Sequence, residues 1–515
     1  MLAKMALVLT VLGWLLGTGT CRADDAAEVL RSCRMSLGTL HCGQVTLERQ
    51  GGTWRVAGVD ASFQNLSDGD VARLIGLKTL DSLELMGDSQ LTAEGIQKLT
   101  GLQNIRRLIL PWNTTEPGLK AISSLPRLEE VQLRVTEDRS NEGLAELGRV
   151  RNLRRVHVSG AGLSDKSIKF VSLLKGLEEL NLRYSRDPKT VRITDAGVAE
   201  LKGLNTLRVL RLDRLGPMGM AALMSLPNLE HLDIDLYVPA PGATDLSSLH
   251  NLKWLRIGGI AGPPSARFRL PVNLERLSID SAAARKMDFN SCPHLTNLEV
   301  DIIADRQAGD LNWLSEVLQL RELALLSQAT DRDVKTIAAI ASLRALTLQG
   351  GCPGPFGDET MKGLRGLPQL ESLRIDAPSG TVTDLGMDVL RDLKDLRTLD
   401  LSLGNSVTAK GLASIYELKQ LRVLRLELSV ELRRSLDAVL AHVARLSELE
   451  ELCIAGSLTD EGLKSLAALK KLRRLDLSGC TGYTDDGLAS LMRALPDLQV
   501  VKLTYKPITS PGKKK

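Results

Sequence analysis

The chain of 515 residues contains few aromatic and few chemically reactive side chains. Aromatic residues make up only 3% of it against 43% hydrophobic residues, so we expect a core of aliphatic side chains. None of the six histidines lies at a metal-binding spacing such as H-x-x-x-H from another, and the motifs G-x-S-x-G and C-x-x-C are missing. The sequence therefore predicts a protein that is not an enzyme and that carries no cofactor or metal.

An excess of charge of one sign is also missing. The 66 basic and 62 acidic side chains leave a formal net charge of +4. Such a balance gives no strong attraction to polyanions, so no nucleic-acid partner is expected. Beyond the N-terminus, no apolar stretch approaches the roughly 20 residues that cross a bilayer, and we predict no transmembrane segment once the first residues are removed.

The first residues have the pattern of an export signal. Lys4 precedes an apolar run over residues 6–16, and the small residue Ala23 stands where a signal peptidase cuts. The run is shorter than a membrane span, which disfavours an uncleaved anchor, and the sequence before Cys21 is a poor match to a lipidation site. We predict a signal peptide over residues 1–23 and a secreted, periplasmic or cell-envelope location.

Six cysteines remain after the signal is removed. Cys33 and Cys42 lie close together in front of the repeats, where an exported protein could join them in a disulfide; two unlinked thiols are the alternative. The others are scattered one to a repeat and are interpreted as structural: Cys292, Cys352, Cys453 and Cys480.

What the chain does contain is a repeat. The pattern L-x-x-L-x-L, with leucine-type residues at its first, fourth and sixth places, occurs eighteen times from Leu80 to Leu498. Its mean period of roughly 25 residues is typical of leucine-rich repeats, in which each unit adds one strand and one return segment. The predicted fold is therefore an α/β solenoid.

Alternation within each repeat predicts which side chains face the core. The fourth and sixth residues point inward, and the third, fifth and seventh point outward from a parallel sheet. Return segments often begin Thr-Asp-x-Gly-Leu, as at Thr459-Asp460-Glu461-Gly462-Leu463, where Thr or Asp can cap a helix. We expect a horseshoe with the sheet on its concave face and helices or irregular segments on its convex face.

The repeats define the predicted boundaries. Residues 24–61 are expected to form an N-terminal cap of one helix and a β-hairpin that turns at Gly51 and Gly52. The solenoid covers 62–506 with 18 or 19 repeats, and 507–515 form a disordered basic tail. Between 238 and 297 the return segments are rich in proline, which predicts extended or irregular return segments and a flatter arc.

The unit from Leu458 to Cys480 resembles the cysteine-containing, ribonuclease-inhibitor-like subclass of leucine-rich repeat proteins. That subclass includes the substrate-binding halves of F-box proteins, bacterial effectors and many exported bacterial proteins. The resemblance covers about residues 62–506 and implies a binding solenoid. Two features depart from it: no F-box precedes the repeats, and the Asn or Cys expected after each sixth-place leucine occurs only at Asn113 and Cys480.

The outward strand positions are the candidate ligand-binding face. Basic residues dominate its earlier repeats and acidic residues its later ones, with His231 and Trp254 where the two zones meet, so we predict a bipolar surface. A solvated face without a ligand is one alternative, and calcium binding by the acidic residues is another. The candidate residues are Arg134, His157, Arg183, Arg211, Asp213, His231, Asp233, Asp235, Trp254, Arg256, Asp280, Glu299 and Asp301.

These patterns favour an exported scaffold that binds a protein or peptide on its concave strand face. A structural solenoid of the cell envelope, in contact with glycan or with its own copies, is the alternative. An intracellular adaptor of the F-box type is less favoured, because the residues before the repeats have the pattern of a signal and a small cap.

Overall fold

A computed structural model describes residues 26–37, 43–135, 143–183, 193–237, 245–261, 268–302, 311–317, 319–326, 329–350, 356–377 and 381–504. The predicted signal peptide, Cys42, Cys352 and the predicted basic tail lie outside these residues. The described chain is an α/β solenoid in which strand, loop and return segment recur, as the leucine pattern predicts.

Each repeat contributes one short strand. The strands are β1 Gln44–Gln50, β2 Thr53–Asp60, β3 Ser82–Glu84, β4 Arg107–Ile109, β5 Glu130–Arg134, β6 Arg155–Ser159, β7 Glu179–Asn181, β8 Val209–Leu215, β9 His231–Tyr237, β10 Trp254–Ala261, β11 Phe268–Arg269, β12 Arg276–Asp280, β13 Met287–Asp288, β14 Asn297–Asp301, β15 Glu322–Leu326, β16 Ala345–Gln349, β17 Ser372–Ala377, β18 Thr398–Leu403, β19 Val423–Glu427, β20 Glu451–Ile454, β21 Arg474–Leu477 and β22 Val500–Thr504. All except β11 and β13 belong to one sheet of 20 strands.

Equivalent residues of successive repeats lie side by side in this sheet. Leu232 of β9, for example, pairs with Leu210 of β8 and Leu255 of β10 in parallel register. All three are fully buried, whereas the residues on either side of each face away from the core. The alternation therefore places a continuous aliphatic layer behind the sheet and polar side chains in front of it.

The return segments carry short helices behind that layer. The α-helices are α1 Ala26–Leu37, α2 Asp68–Ile75, α3 Ala93–Lys98, α4 Glu116–Ile122, α5 Gly143–Glu146, α6 Asp165–Val171, α7 Asp195–Ala199, α8 Pro217–Leu223, α9 Ser281–Ala284, α10 Asp331–Ile337, α11 Asp358–Gly363, α12 Asp384–Met387, α13 Ala409–Leu412, α14 Val430–Arg433, α15 Asp437–Val443, α16 Asp460–Ser465 and α17 Asp485–Ala494. Single turns of 3₁₀-helix continue several of them, as at Leu99–Gly101 and Leu466–Ala468.

The recurrent Thr-Asp-x-Gly sequence links one repeat to the next. Thr408 is the N-cap of α13, and its hydroxyl accepts a hydrogen bond from the Lys410 amide. Asp384, the first residue of the preceding helix, accepts bonds from the Thr408 amide (2.8 Å), the Thr408 hydroxyl (2.7 Å) and the Gly411 amide (3.0 Å). Thr is thus the cap, and Asp binds the cap of the following repeat.

The same carboxylate link recurs between five other pairs of repeats. Asp68 binds Thr92, Asp165 binds Thr194, Asp358 binds Thr383, Asp437 binds Thr459 and Asp460 binds Thr484, each through the threonine amide and hydroxyl. The links satisfy helix N-terminal amides that have no partner within their own helix.

Glycine in the motif makes room for this carboxylate. A Cβ built on Gly411 would lie 2.4 Å from the Asp384 Oδ1 atom, and one on Gly462 would lie 2.2 Å from the Asp437 Oδ1 atom. Neither glycine has an unusual backbone conformation, so the requirement comes from close approach between repeats.

The N-terminal segment joins the two ends of the solenoid. Helix α1 packs against α17, the last helix. Strands β1 and β2 form an antiparallel hairpin with Gly51 and Gly52 at positive φ in its turn. On its other edge, β1 pairs antiparallel with β22, so that Thr46 lies opposite Lys502. The sheet is therefore a closed ring and not the open horseshoe that the sequence led us to expect.

The pairing also fixes the ring's dimensions. A path that starts at Val59 on β2 and steps from each residue to its register partner passes through all the strands to Val501 on β22. From there it continues to Leu47 on β1 and returns to β2 at Val56, three residues from its start. A small shift means that the strands run nearly parallel to the ring axis. Twenty strands spaced about 4.8 Å apart then enclose a lumen about 30 Å wide between facing backbones.

The proline-rich middle departs from the helical pattern. Behind the main sheet, β11 and β13 pair in parallel as a second, two-stranded sheet. The described return segments there are short and consist of a few extended residues, turns and irregular backbone, apart from the single-turn α9 and the 3₁₀ turn Phe289–Ser291. This is the return form that the prolines predict; the flatter arc remains a prediction.

Ring closure can be tested by a disulfide. In a Thr46→Cys/Lys502→Cys double variant, the two cysteines lie directly opposite across β1 and β22, within the reach of a disulfide. We expect an intramolecular crosslink after mild oxidation, detected by peptide mapping without reduction. A Thr46→Cys/Arg256→Cys control is expected to give none. An open arc would leave both variants uncrosslinked.

The carboxylate link can be tested by a double-mutant cycle. Gly411→Ala is expected to lower the free energy of unfolding by about 1–3 kcal/mol, because the methyl group displaces the Asp384 carboxylate. In an Asp384→Ala background the same change should cost little, since alanine favours the helix. Gly148→Ala serves as a control because its nearest contact would be 3.8 Å away. Equal costs in both backgrounds would contradict the link.

Candidate functional site

The longest repeat strands lie side by side in the first half of the ring. Strands β8, β9 and β10 span 7, 7 and 8 residues. Register irregularities occur between Arg211 and Arg214 against β9 and between Gly258 and Ala261 against β9. Bulges of this kind redirect side chains and are common beside binding sites. Most of the candidate residues of the outward face lie on these strands and their neighbours.

An aromatic pair occupies the centre of this region. His231 and Trp254 are partners in the β9–β10 register, and their rings stack with centroids 3.7 Å apart and an interplanar angle of 24°. Burial, reinforced by the nearby charge of Arg211, lowers the pKa of His231 to about 4. The imidazole is therefore neutral at physiological pH, and the pair presents a flat, uncharged surface.

A network of charges borders the aromatic pair. The Arg183 guanidinium lies 2.6 Å from Asp233, 3.1 Å from Asp235 and 3.6 Å from Asp213. Arg256 approaches the same region from β10, at 3.0 Å from Asp233 and 3.3 Å from Asp235. Two guanidinium groups, one following β7 and one on β10, thus hold three carboxylates of β8 and β9 in fixed positions.

The series of aspartates at the seventh place of successive repeats, Asp213, Asp235, Asp280 and Asp301, is interrupted at Gly258 for a steric reason. Gly258 is the seventh-place residue of β10, between Asp235 and Asp280. A Cβ at Gly258 would lie 2.3 Å from the Asp235 Oδ1 atom, so the carboxylate of Asp235 occupies the space that a side chain there would need. The glycine lets Asp235 reach both arginines.

The predicted basic and acidic zones are not separate. His157 lies 3.3 Å from Glu179, which also binds Arg211. Hydrogen bonding to His157 is the main reason why the pKa of Glu179 falls to about 2, and Arg211 lowers it further. Arg155 likewise binds Glu130 at 3.0 Å. Carboxylates on neighbouring strands pair with Arg155, Arg183 and Arg211, so the two signs of charge are interleaved among these residues. The bipolar binding face remains a prediction.

Four other candidates lie outside this network. Asp280 is buried and caps α9, accepting a hydrogen bond from the Ala283 amide; it is a structural residue and not part of an open binding face. Glu299 accepts a hydrogen bond from Ser278 at 2.9 Å, and Asp301 is exposed. Arg134 lies at the other side of the region and contacts Trp112.

Sequence reasoning missed the partners of the basic residues. Glu130 and Glu179 stand at the third place of their repeats. Glu130 is in register with Arg107 and Arg155, which it binds, whereas Glu179 lies diagonally from its partners His157 and Arg211. A signal for them exists in the sequence, because both signs of charge alternate between neighbouring repeats at the same place. Cys33 is buried in α1, and its predicted disulfide to Cys42 is untested.

Two further properties concern the described ranges alone. No group of three or more His, Cys, Asp or Glu side chains there is arranged to hold a metal ion. None of the helices in those ranges combines the length and apolar character that a bilayer crossing requires.

No protein-family model and no curated protein matches this chain. Solved structures with similarity to it include an internalin (inlF) from Listeria monocytogenes, at 14% identity and a TM-score of 0.22, covering 91% of this chain and 93% of that one. The ectodomain of the Arabidopsis thaliana receptor kinase GASSHO1/SCHENGEN3, in complex with CASPARIAN STRIP INTEGRITY FACTOR 2, is 15% identical with a TM-score of 0.25 and coverages of 85% and 59%. TLR13, in complex with ssRNA13, is 18% identical with a TM-score of 0.32 and coverages of 79% and 62%. Likeness at this level concerns the repeat architecture and says nothing of a ligand.

The lowered pKa of His231 predicts a dependence of stability on pH. The unfolded histidine takes up a proton near pH 6.5, whereas the folded one does so only near pH 4. Stability should therefore decline as the pH falls through this window. Because the ring is part-exposed, we expect a loss of about 1 kcal/mol. Denaturant unfolding at pH 7 and pH 5 should show a smaller loss for His231→Phe than for the wild type or His294→Gln. An equal loss in all three would exclude this role.

Proposed function

We propose that this chain is a non-enzymatic scaffold that binds a protein segment on the inner face of its ring. The observation that carries the proposal is the stacked His231–Trp254 pair within the Arg–Asp network. Tryptophan and arginine in a centrally placed, rigid setting are the residues that most often dominate binding energy. Here both are fixed by strands and by ion pairs before any partner arrives, which reduces the entropy lost on binding.

The size of the lumen supports a segment as the partner. A folded domain of 100 residues has a radius of gyration of about 13 Å and a diameter near 30 Å, which leaves no room for the inward side chains of the ring. An α-helix with its side chains measures about 10–12 Å across. We therefore infer that the inner face takes a single helix or an extended segment.

The paired charges support recognition by geometry more than by net charge. Arg183 and Arg256 are already neutralised by Asp213, Asp233 and Asp235. A strongly charged partner, whether acidic or basic, therefore gains little electrostatic attraction here. A partner can instead form hydrogen bonds to the fixed carboxylates and apolar contacts with Trp254. A polyanion such as nucleic acid finds no unopposed basic surface among these residues.

The proposal places the protein outside the cytoplasm, after removal of residues 1–23. In the same proposal, residues 24–61 are a cap that closes the solenoid of 62–506, and 507–515 are a basic tail. Calcium binding by the acidic residues is not favoured, because arginines already hold three of them in place. An adaptor of the F-box type has no support beyond the repeat resemblance.

A structural envelope solenoid remains the second candidate. Polymerisation through a sheet needs an unpaired edge strand, and each strand of the described main sheet has a neighbour on both sides. The closed sheet therefore favours recognition over edge-to-edge assembly. Size-exclusion chromatography over a concentration series distinguishes the two, since self-assembly would shift the elution volume with concentration.

The inner-face site can be tested on a partner captured from the native envelope. Trp254→Ala/Asp235→Ala is expected to weaken binding by about 30-fold or more, which corresponds to about 2 kcal/mol for a dominant contact. Thr347→Ala/Ser372→Ala, on the same face of β16 and β17, should leave the Kd unchanged. Affinity that survives the first double variant would refute the inner-face site.

A further inference from the structure

A second group of side chains lies where β2, β4 and β5 end. Phe63 follows β2, Trp112 follows β4 and Arg134 ends β5; we call these three residues the rim cluster. The Phe63 and Trp112 rings meet edge to face, with centroids 5.9 Å apart. The Arg134 guanidinium carbon lies 4.5 Å from the Trp112 ring centroid. Parallel strands place all three at one edge of the sheet, away from the aromatic pair of β9 and β10.

Phe63 is held in a conformation that its side chain disfavours. Its φ of 59° makes it the only non-glycine residue at positive φ in the described ranges, although its side chain is 67% exposed. The Phe63 amide donates to Met86 (2.6 Å) and the Trp112 amide to Gly87 (2.9 Å). Strain of this kind persists where the surrounding structure enforces it, and it is concentrated at functional sites. Here it exposes an aromatic ring that gains almost nothing from burial.

Glycines shape the backbone beneath the cluster. Gly87 has a φ of 112°, and a Cβ there would lie 3.1 Å from the Phe63 Cδ1 atom. Gly160 has a φ of 116°, and a Cβ there would lie 2.8 Å from the Arg134 Cγ atom and 2.0 Å from the Val135 carbonyl oxygen. Both positions require glycine, and both leave room for a rim-cluster side chain.

Arg134 differs from the arginines on neighbouring strands in having no carboxylate. Arg107 and Arg155 both bind Glu130, and Arg211 binds Glu179. No acidic group of the described chain lies within ion-pair distance of Arg134, and its Nε atom is buried without a hydrogen-bond partner. Stacking on Trp112 occupies the face of the guanidinium and not its edge, so its Nη donors, unlike the buried Nε, can be reached by a ligand.

We propose that the rim cluster binds an acidic, apolar segment of a partner protein. A carboxylate of that segment pairs with Arg134, and a neighbouring aromatic or aliphatic side chain packs against Phe63 and Trp112. Charge complementarity selects this ligand, because Arg134 has no acidic partner among the described residues, whereas Arg107, Arg155 and Arg211 on nearby strands are each paired with a glutamate. The site is distinct from the inner-face site of β7 to β10 and does not depend on it.

The probe is the peptide acetyl-Asp-Phe-Asp-amide, titrated calorimetrically into the full chain. We expect measurable binding that weakens by about tenfold or more for acetyl-Asn-Phe-Asn-amide and for the Arg134→Gln variant, as for loss of a charge-assisted hydrogen bond. Arg134→Lys should give an intermediate loss, since it keeps the charge without the planar stack. No binding by the wild type, or equal binding of the two peptides, would overturn the proposal.

A second variant separates binding from structure. Asparagine tolerates positive φ better than phenylalanine. Phe63→Asn should therefore weaken binding of the peptide while leaving the melting temperature of the protein unchanged or higher. A lower melting temperature with unchanged affinity would mean that Phe63 serves the fold alone and would overturn its role. Trp254→Ala is the matched control: it removes an aromatic ring from the other site and should leave peptide affinity unchanged, whereas a parallel loss would show that the two sites are not distinct.

Discussion

A carboxylate that crosses from one repeat to the cap of the next is the interaction on which the outer layer of this molecule depends. The helices are too short to be stable alone, and each gains order only from its neighbours. Asp384 satisfies amides of Thr408 and Gly411 that belong to another repeat, so the stability of one helix start is tied to the position of the preceding helix. Burial, which opposes ionisation, is outweighed by hydrogen bonds from Thr408, and the pKa of Asp384 is lowered. The link is therefore charged, and strongest, at neutral pH.

The inner layer depends on the same regularity for a different purpose. Because equivalent positions align, a residue at the third, fifth or seventh place of one strand lies beside its counterpart in the next. Arg183 can thus reach carboxylates on two further strands, and His231 can stack on Trp254. The register of the strands sets the distances between these side chains, and the residue types at the third, fifth and seventh places determine which interactions they make. The ion pairs and the aromatic pair of this face therefore follow from the register of the strands.

The leucine spacing was sufficient to predict the strands and their parallel order, and the glycines between two strand-like runs were sufficient to predict the hairpin at Gly51. It was insufficient for contacts between repeats, which lie some two dozen residues apart in sequence and become neighbours only on stacking. The glycine of Thr-Asp-x-Gly therefore looked like part of a helix start, although its role is to admit Asp384 or its equivalents. The signs of the candidate residues suggested a basic and an acidic zone. That prediction did not include Glu130 and Glu179, which alternate with the basic residues of neighbouring repeats. Ring closure depends on the small rotation between successive repeats, which no single motif encodes. The exposed Phe63 has no periodic signature at all.

An open solenoid can gain or lose a unit during evolution and remain a solenoid, because its ends are independent. A ring has no such freedom. The antiparallel contact of β1 with β22 holds residues near both termini together, so the total rotation of all units must return to its starting point. One inserted or deleted repeat would misplace both partners of that contact, and errors in rotation at any unit would accumulate there. The number of repeats is in this sense part of the fold itself, and the first hairpin cannot complete its pairing until the last strand has been made.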